Sequence, residues 1–360
     1  MNKRLGVLTG GGDAPGLNAV IRAVTRSALR RGWEVIGFLD GYSGLIENRN
    51  VVLTRNYISG LLHRGGTVLG SNNRDNPFHY PVRTETGIEY RDMSDQAVAN
   101  LEKNGIDCLV AIGGDGSLAI AHELAQKGAR VIGVPKTIDN DLLATDQTFG
   151  FDTAVTTATE ALDKLHTTAE SHHRVMILEL MGRDAGWIAL VSGIAGGADV
   201  ILIPEIPWKL DSVIAKIKER QQEGKYFSIV VVAEGVKDPS GKFVVRQHIP
   251  TAHTKIRLGG IGPVLAELIE DASGFECRAT VLGHLQRGGS PSASDRVLAT
   301  RYGVMAAELA MAGQHDLMVC LKGQDIKTVP LDLVARGTRT IPPDGQLVQV
   351  ARALGISLGD

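Results

Sequence analysis

A strongly apolar segment, Cys108–Ile112, leads directly into the run Gly113-Gly114-Asp115-Gly116-Ser117. A second apolar segment, Val131–Val134, leads into the run Pro135-Lys136-Thr137-Ile138-Asp139-Asn140-Asp141. Apolar segments that end in glycine and acid are typical of an open parallel sheet, whose strand ends present backbone N–H groups and carboxylates at one edge. Glycine amides can approach phosphate oxygens, and a neighbouring aspartate can hold Mg²⁺. Together the two runs predict a phosphoryl-transfer site.

Strand-like segments alternate with helical patterns along the chain, from Leu5–Thr9 to a last long helical pattern at Ser294–Ala312. The strand segments are almost continuously apolar, as expected for strands that are covered on both faces. This βαβα order predicts an α/β fold of doubly wound αβα sandwiches. A length of 360 residues suits two lobes, which we place at 1–150 and 151–312, with a tail over 313–360 that packs back on them. The polar segments 72–94 and 248–261 are predicted to be loop insertions without structure of their own.

The composition excludes several classes of function. Apolar residues make up 43% of the chain and charged residues 22%, the formal net charge is −2, and only 4% of residues are aromatic. These values predict a soluble globular protein without a nucleic-acid or membrane partner. The start of the chain lacks the apolar stretch of a signal peptide. The three cysteines, Cys108, Cys277 and Cys320, are far apart and predict a reduced, cytoplasmic protein.

The first glycine loop, Gly10–Asn18, joins the first strand to the first helical pattern. Its glycines and the helix N-terminus behind them suit a bound anion, although such a turn can also serve packing alone. Asp40 stands at about the ~20-residue spacing of a ribose-binding acid in dinucleotide-binding proteins. However, Pro15 occupies the place of the last glycine in that fingerprint, so a nicotinamide site is rejected.

The other two loops supply the acids. We expect Ser117 to cap a helix that starts at Leu118, which leaves Asp115 for a metal ion. In an extended segment, Asp139 and Asp141 point to the same side. One can accept a proton from a hydroxyl while the other helps to position magnesium. An ordinary Asp-Asn-Asp turn is the alternative.

Basic residues at the ends of later strands supply the other half of a phosphate-ester site, because guanidinium groups pair with phosphate oxygens. Such residues are also common as solvated surface charges. Glu234, at the end of Ser228–Ala233, is predicted to accept hydrogen bonds from sugar hydroxyls. The basic candidates are Arg174, Arg183, Arg278, His284 and Arg287.

In combination, these motifs resemble the phosphofructokinase family, in order from Leu5 to about Ala312. The resemblance implies transfer of a phosphoryl group to the 1-hydroxyl of fructose 6-phosphate, with Mg²⁺ and ATP, in a donor lobe and a sugar-phosphate lobe. It implies that Asp139 is the proton acceptor, that Arg183 steadies the transferring group, and that Asp115 is the magnesium ligand. It also implies a homodimer or homotetramer, because Arg174 and Arg278 match arginines that reach a neighbouring subunit's site. The matching donor residues are Gly12, Gly114, Asp115, Gly116 and Ser117, and the matching substrate residues are Thr137, Ile138, Asp139, Arg174, Met181, Gly182, Arg183, Glu234, Arg278, His284, Leu285, Gln286 and Arg287.

Two positions bear on the phosphoryl donor, because members of this family use either ATP or pyrophosphate. Gly116 resembles the ATP users, since the lack of a side chain leaves room for the α-phosphate and nucleoside. Lys136 resembles the pyrophosphate users. Backbone clearance outweighs one charge-assisted contact of ~1.5–3 kcal/mol, so we expect ATP, in a mixed-pattern bacterial subgroup. A pyrophosphate-dependent enzyme and a non-catalytic sugar-phosphate sensor are the alternatives, although a sensor should have lost Asp115 or Asp139.

Arg22, Arg26 and Arg55 match an effector pocket of allosteric bacterial members of the family. The partner positions differ, with His166 and Tyr226 in place of basic residues. The alternative is that Arg22 and Arg26 form a solvated helix face.

Overall fold

The computed structural model describes residues 3–73, 75–85, 87–248 and 256–360. The chain forms two compact units, which exchange the chain more than once. The first contains Met1–Thr137, Leu142–Gly150 and Arg287–Thr338, and the second contains Ile138–Asp141, Phe151–Gln286 and Arg339–Asp360.

The first unit is built on an eight-stranded, mainly parallel sheet. Its strands are β1 (Arg4–Thr9), β2 (Glu34–Phe38), β3 (Asn50–Val52), β6 (Cys108–Gly113), β7 (Val131–Thr137), β8 (Phe149–Gly150), β15 (Leu317–Lys322) and β16 (Asp325–Pro330), and β4 (Tyr80–Thr84) and β5 (Gly87–Arg91) form a separate hairpin. The strand order is β16-β15-β7-β6-β1-β2-β3, and β8 pairs with β7. The edge strands β3 and β16 run antiparallel to their neighbours. Its helices are α1 (Leu17–Arg30), α2 (Tyr42–Ile46), α3 (Ser94–Lys103), α4 (Asp115–Gln126) and α9 (Ala293–Met311), with a 3-10 helix at Leu331–Arg336.

Both faces of this sheet are covered, as the continuous apolar strands predict. Successive residues of β6 enter opposite cores: Val110 and Ile112 pack with α1 and α9, whereas Leu109 and Ala111 pack with α2, α3 and α4. This alternation follows from the pleat, which turns neighbouring side chains to opposite faces. The doubly wound α/β prediction is confirmed.

The second unit has a four-stranded parallel sheet. Its strands are β9 (Val175–Leu180), β10 (Val200–Leu202), β11 (Ser228–Ala233) and β14 (Cys277–Val281), with a hairpin of β12 (Val245–His248) and β13 (Ile256–Leu258). The helices are α5 (Phe151–His172), α6 (Trp187–Ala195), α7 (Leu210–Gln222), α8 (Ile261–Ser273) and α10 (Gln346–Ala353), and Gly283–Arg287 is a 3-10 helix. The strand order is β10-β11-β9-β14. Helices α5 and α6 pack on β11, and α8 packs on β9 and β14.

The two predicted loop insertions are partly wrong: the first contains the antiparallel hairpin β4–β5, and the second contains β13, which pairs antiparallel with β12 just before the insertion. Residues 249–255 of the second insertion lie outside the described residues. In the described part of the chain, no helix is long and apolar enough to cross a membrane. The three cysteines are free thiols and buried.

Candidate active site

The strand order brings the two glycine loops to one sheet edge. Strands β1, β6 and β7 are parallel neighbours, so the loops that follow the carboxyl ends of β1 and β6 lie side by side, next to the carboxyl end of β7. The chain leaves β1 for β2 on one side, while β6 lies on the other side. This is the switch point at which open α/β sheets bind ligands.

Lys136 joins the first two loops within this unit. Its side chain is almost fully buried, at 4% exposure, and its Nζ donates a hydrogen bond to the Gly12 carbonyl at 2.5 Å. A Cβ added at Gly11 would lie 3.4 Å from this Nζ, and one at Gly114 would lie 4.0 Å from it. The ammonium group therefore lies between the first and second glycine loops, where an anion held by both would meet it.

Close packing explains the glycines at the strand ends. A Cβ at Gly10 would lie 2.6 Å from Ser117 Oγ and 3.0 Å from Ser117 Cβ, so the two loops approach too closely for a side chain. The helix α4 starts at Asp115, and its N-cap, Gly114, makes no side-chain capping hydrogen bond. The prediction that Ser117 caps a helix starting at Leu118 is therefore wrong: the glycines let the helix start three residues earlier, and Ser117 packs against Gly10 instead.

Tyr42 forms a hydrogen bond with the first turn of α4. Its buried hydroxyl donates to the Ser117 carbonyl at 2.6 Å. Burial, with a smaller contribution from the charge of Glu123, raises the pKa of Tyr42, so the hydroxyl remains a donor. No sequence motif pointed to this residue, because its partner is 75 positions away.

Arg287 reaches the first glycine loop from the far end of the sequence. Its Nη1 donates to the Asp13 carbonyl at 3.0 Å, and a Cβ at Gly12 would lie 2.9 Å from this Nη1. The guanidinium of Arg287, which the sequence predicted to contact the substrate, therefore lies against the first glycine loop.

The third loop is buried along its length. Asp139 is 3% exposed, and Asn140 and Asp141 are also buried. Asn140 has a φ of 53°, in the left-handed region that asparagine tolerates. The segment is therefore not extended through Asn140, which favours the Asp-Asn-Asp turn over a run with Asp139 and Asp141 on one side. Ahead of the turn, Thr148 Oγ1 donates to the Thr137 carbonyl at 2.8 Å.

In the second unit, the residues after β9 form a tight loop. Gly182 has a φ of 148° and Arg183 a φ of 53°. The Arg183 N–H donates to Glu234 Oε1 at 3.3 Å, and a Cβ at Gly235 would overlap the Arg183 carbonyl. Glu234 and Gly235 at the end of β11 therefore fix the backbone that presents Arg183, while Met181 beside them is half-buried.

Arg174 and Arg278 share one carboxylate. Glu276 accepts from Arg174 Nη2 at 2.8 Å and from Arg278 Nη2 at 2.5 Å, and Glu270 lies 3.6 Å from Arg278 Nη1. The hydrogen bond from Arg174 is the main cause that lowers the pKa of Glu276. Both guanidinium groups are partly exposed, so an anion in solvent can reach them.

The 3-10 helix Gly283–Arg287 divides its residues between solvent and core. His284 and Leu285 are exposed. Gln286 is fully buried, and its Nε2 donates to the Gly283 carbonyl at 3.1 Å. Its side chain thus stabilises the turn.

Four arginines surround a separate cavity of about 450 Å³ on the first unit. Burial and the neighbouring charge of Arg26 lower the pKa of Arg22. Arg22, Arg26 and Arg30 lie on helix α1, and guanidinium groups gathered in this way can pair with an anion. The lining residues are Arg22, Arg26, Arg30, Arg55, Ile58, Ser59 and Gly60.

His166, which stands in the sequence where the effector pocket of related proteins has a basic residue, lies in the second unit. Its Nε2 forms a hydrogen bond with the Gly196 carbonyl at 2.7 Å.

The chain is similar to phosphofructokinases both in sequence and in structure. A family model described as phosphofructokinase matches residues 4–310. An ATP-dependent 6-phosphofructokinase 2 of Clostridium perfringens is 56% identical over 361 residues, which cover 99% of each chain. A pyrophosphate–fructose 6-phosphate 1-phosphotransferase of Amycolatopsis methanolica is 49% identical over 342 residues, which cover 95% of this chain and 97% of that one. The solved structure of a pyrophosphate-dependent phosphofructokinase from Nitrosospira multiformis superimposes with a TM-score of 0.82 at 23% identity, covering 100% of this chain and 93% of that chain.

Proposed function

The chain belongs to the phosphofructokinase family, and from this premise we propose that it is an ATP-dependent 6-phosphofructokinase. It transfers the γ-phosphoryl group of ATP to the 1-hydroxyl of fructose 6-phosphate and forms fructose 1,6-bisphosphate, a step of glycolysis. The observation that carries the proposal is the pair of neighbouring parallel strands β6 and β7, whose carboxyl ends lead into the segments that hold Asp115 and Gly116 in one case and Asp139 in the other.

ATP is the proposed donor on the strength of Gly116 and of the higher identity to the ATP-dependent relative. Gly116 lies in the first turn of α4, half-buried beside Asp115, where a larger acidic side chain would oppose the α-phosphate by bulk and charge. Gly12, Gly114 and Ser117 complete the donor site. Pyrophosphate is the second candidate, because Lys136 supplies a compact positive charge that suits a small dianion.

Asp139 is proposed as the general base. Its carboxylate takes the proton of the 1-hydroxyl as that oxygen attacks the phosphorus in line, and a buried carboxylate beside the substrate is suited to this transfer. The proton ends on Asp139, and the phosphoryl group moves to the sugar oxygen with ADP as the leaving group. Thr137 and Ile138 line the same loop. Arg183 stabilises the spread negative charge of the group in flight.

Mg²⁺ is the proposed metal, and Asp115 is its protein ligand. Among the described residues, no group of three or more acids, histidines or cysteines could hold a metal by itself. A single half-buried carboxylate at the start of α4 nevertheless fits Mg²⁺, which binds through one or two carboxylates together with substrate phosphates and water. When bound, the ion neutralises charge on the donor phosphates.

The second unit is proposed to bind the sugar phosphate. Met181, Gly182, Arg183 and Glu234 are proposed to contact the sugar, together with the exposed His284 and Leu285, while the buried Gln286 supports their turn. Arg287, of the first unit, stays a proposed substrate contact. Arg174 and Arg278 are proposed to bind the 6-phosphate of a neighbouring subunit's site, which requires a homodimer or homotetramer with shared sites. Their convergence on the exposed carboxylate of Glu276 supports this role, because a dianionic phosphate can replace one carboxylate between two guanidinium groups. A cytoplasmic location accompanies this function.

The substitution Asp139→Asn tests the proposed base, with Asp146→Asn as a matched control. Asp146 is half-exposed and pairs with Lys322 at the surface. We expect kcat to fall by ~10²–10⁴ in Asp139→Asn, with the KM for fructose 6-phosphate changed less than about threefold, as for loss of a general base. The control should retain wild-type kcat. Near-normal turnover in Asp139→Asn would defeat the assignment, and calorimetric binding of fructose 6-phosphate without any turnover of the wild type would favour a sensor.

A further inference from the structure

The C-terminal tail makes a direct connection to the loop that carries Asp139. We call residues 339–341 the strap. The Arg339 N–H donates to the Asp141 carbonyl at 2.7 Å, and Arg339 Nη1 donates to the Asn140 carbonyl at 3.1 Å. Two consecutive carbonyls directly after the proposed base are therefore held by one residue of the tail, all within the second unit.

The guanidinium of Arg339 is itself fixed in place. It lies over the ring of Trp187, with Cζ 4.3 Å from the ring centroid, in the geometry of a cation–π contact. The Trp187 Nε1–H in turn donates to the Arg339 carbonyl at 3.0 Å. The ring is buried, so the guanidinium that binds the loop packs against the fixed side chain of Trp187.

A carboxylate anchors the other end of the strap. Glu205 Oε1 accepts from the Ile341 N–H at 3.0 Å and from the Gly186 N–H at 3.0 Å. Gly186 is the N-cap of the helix that Trp187 begins. It ends the loop that contains Arg183. The strap thus ties the loop of the base to the loop of the proposed charge-stabilising arginine.

The loop needs such support because of its backbone. Asn140 has a φ of 53°, a left-handed conformation that asparagine tolerates better than most residues but that glycine alone adopts without a steric cost. Rotation at Asn140 would redirect Asp139, its immediate neighbour. Hydrogen bonds to the carbonyls of Asn140 and Asp141 oppose that rotation.

We infer that Arg339 is a positioning residue for the phosphoryl transfer, which acts through the Asn140–Asp141 backbone to aim the carboxylate of Asp139. The inference rests on the proposed role of Asp139 as base. Trp187 and Glu205 support Arg339 in this task. The strap lies outside the residues 4–310 that the family model matches, and the sequence motifs gave it no role.

The test compares Arg339→Ala and Arg339→Lys with the control Arg352→Ala. Arg352 lies in the same tail and pairs with the terminal Asp360. Each variant retains the backbone N–H at position 339. We expect Arg339→Ala to lower kcat by about ten- to a hundredfold, as a small misplacement of a reacting group does, with the KM for fructose 6-phosphate within about threefold of wild type. Arg339→Lys keeps a cation over Trp187 and should recover part of the loss.

A second readout does not depend on turnover. Hydrogen–deuterium exchange of the peptide spanning 137–143 should accelerate at least about tenfold in Arg339→Ala, since local opening sets the exchange rate, and should be unchanged in Arg352→Ala. A kcat within twofold of wild type, an equal loss in the control, or unchanged exchange of this peptide would overturn the inference. If the wild type transfers no phosphoryl group to fructose 6-phosphate, the proposed function fails, and exchange alone decides whether Arg339 holds the loop.

Discussion

Replacement of Lys136 by methionine tests the electrostatics of the donor site. Methionine is an unbranched side chain of similar length, so it fills the same buried space without a charge. The wild-type ammonium lies within 4.0 Å of the points where an added Cβ would stand at Gly11 and at Gly114. A phosphate held by both loops would therefore lie against this ammonium. A hydrogen bond to a charged group contributes about 1.5–3 kcal/mol. Because about 1.4 kcal/mol corresponds to a factor of ten, we expect kcat/KM for the donor to fall by ~10- to 150-fold.

The assay is the initial rate with saturating fructose 6-phosphate and varied donor, coupled to consumption of fructose 1,6-bisphosphate. The matched control is Lys127→Met, which removes an ammonium that pairs with Asp95 on the surface and should leave kcat/KM unchanged. A thermal unfolding scan establishes that the variant is folded. A folded Lys136→Met protein with kcat/KM within about threefold of wild type would refute the placement of this ammonium at the donor phosphates.

Two further predictions concern the glycine loops and the arginine cavity. Gly10→Ala places a methyl group 2.6 Å from Ser117 Oγ, so we expect a loss of about 1–3 kcal/mol in the free energy of unfolding, measured by urea denaturation; a loss below 0.5 kcal/mol would show that the loops can separate freely. Inorganic phosphate should raise the melting temperature of the wild type more than that of Arg26→Ala, because the cavity concentrates four guanidinium groups; equal shifts in both proteins would show that phosphate does not bind there.

The sequence predicted the sheet and the strand ends that lead into the glycine loops, because both depend on local patterns. Apolar strands that end in glycine or acid are recognisable within a few residues, and parallel order brings their ends together. The first and second loops were therefore placed correctly, although the start of α4 was predicted three residues late. That error arose because Ser117 is a good capping residue by type, whereas contact with Gly10 gives it a different role.

Contacts between distant segments were beyond prediction. Arg287 lies 274 positions from Asp13, and Arg339 lies 199 positions from Asn140; no periodicity or spacing links them. The sequence left the conformation at Asn140 open, because Asp-Asn-Asp suits both an extended strand end and a turn. The contacts of Arg339 with the Asn140 and Asp141 carbonyls favour the left-handed backbone.

The most direct test of the central claim is a comparison of the two phosphoryl donors. Purified protein is assayed with fructose 6-phosphate and Mg²⁺, using ATP in one series and pyrophosphate in the other, each over a full range of concentrations. We predict that ATP supports turnover with a kcat/KM at least about tenfold above that for pyrophosphate, since Gly116 leaves room for the nucleotide. Fast turnover with pyrophosphate and none with ATP would contradict the account and would assign the donor preference to Lys136.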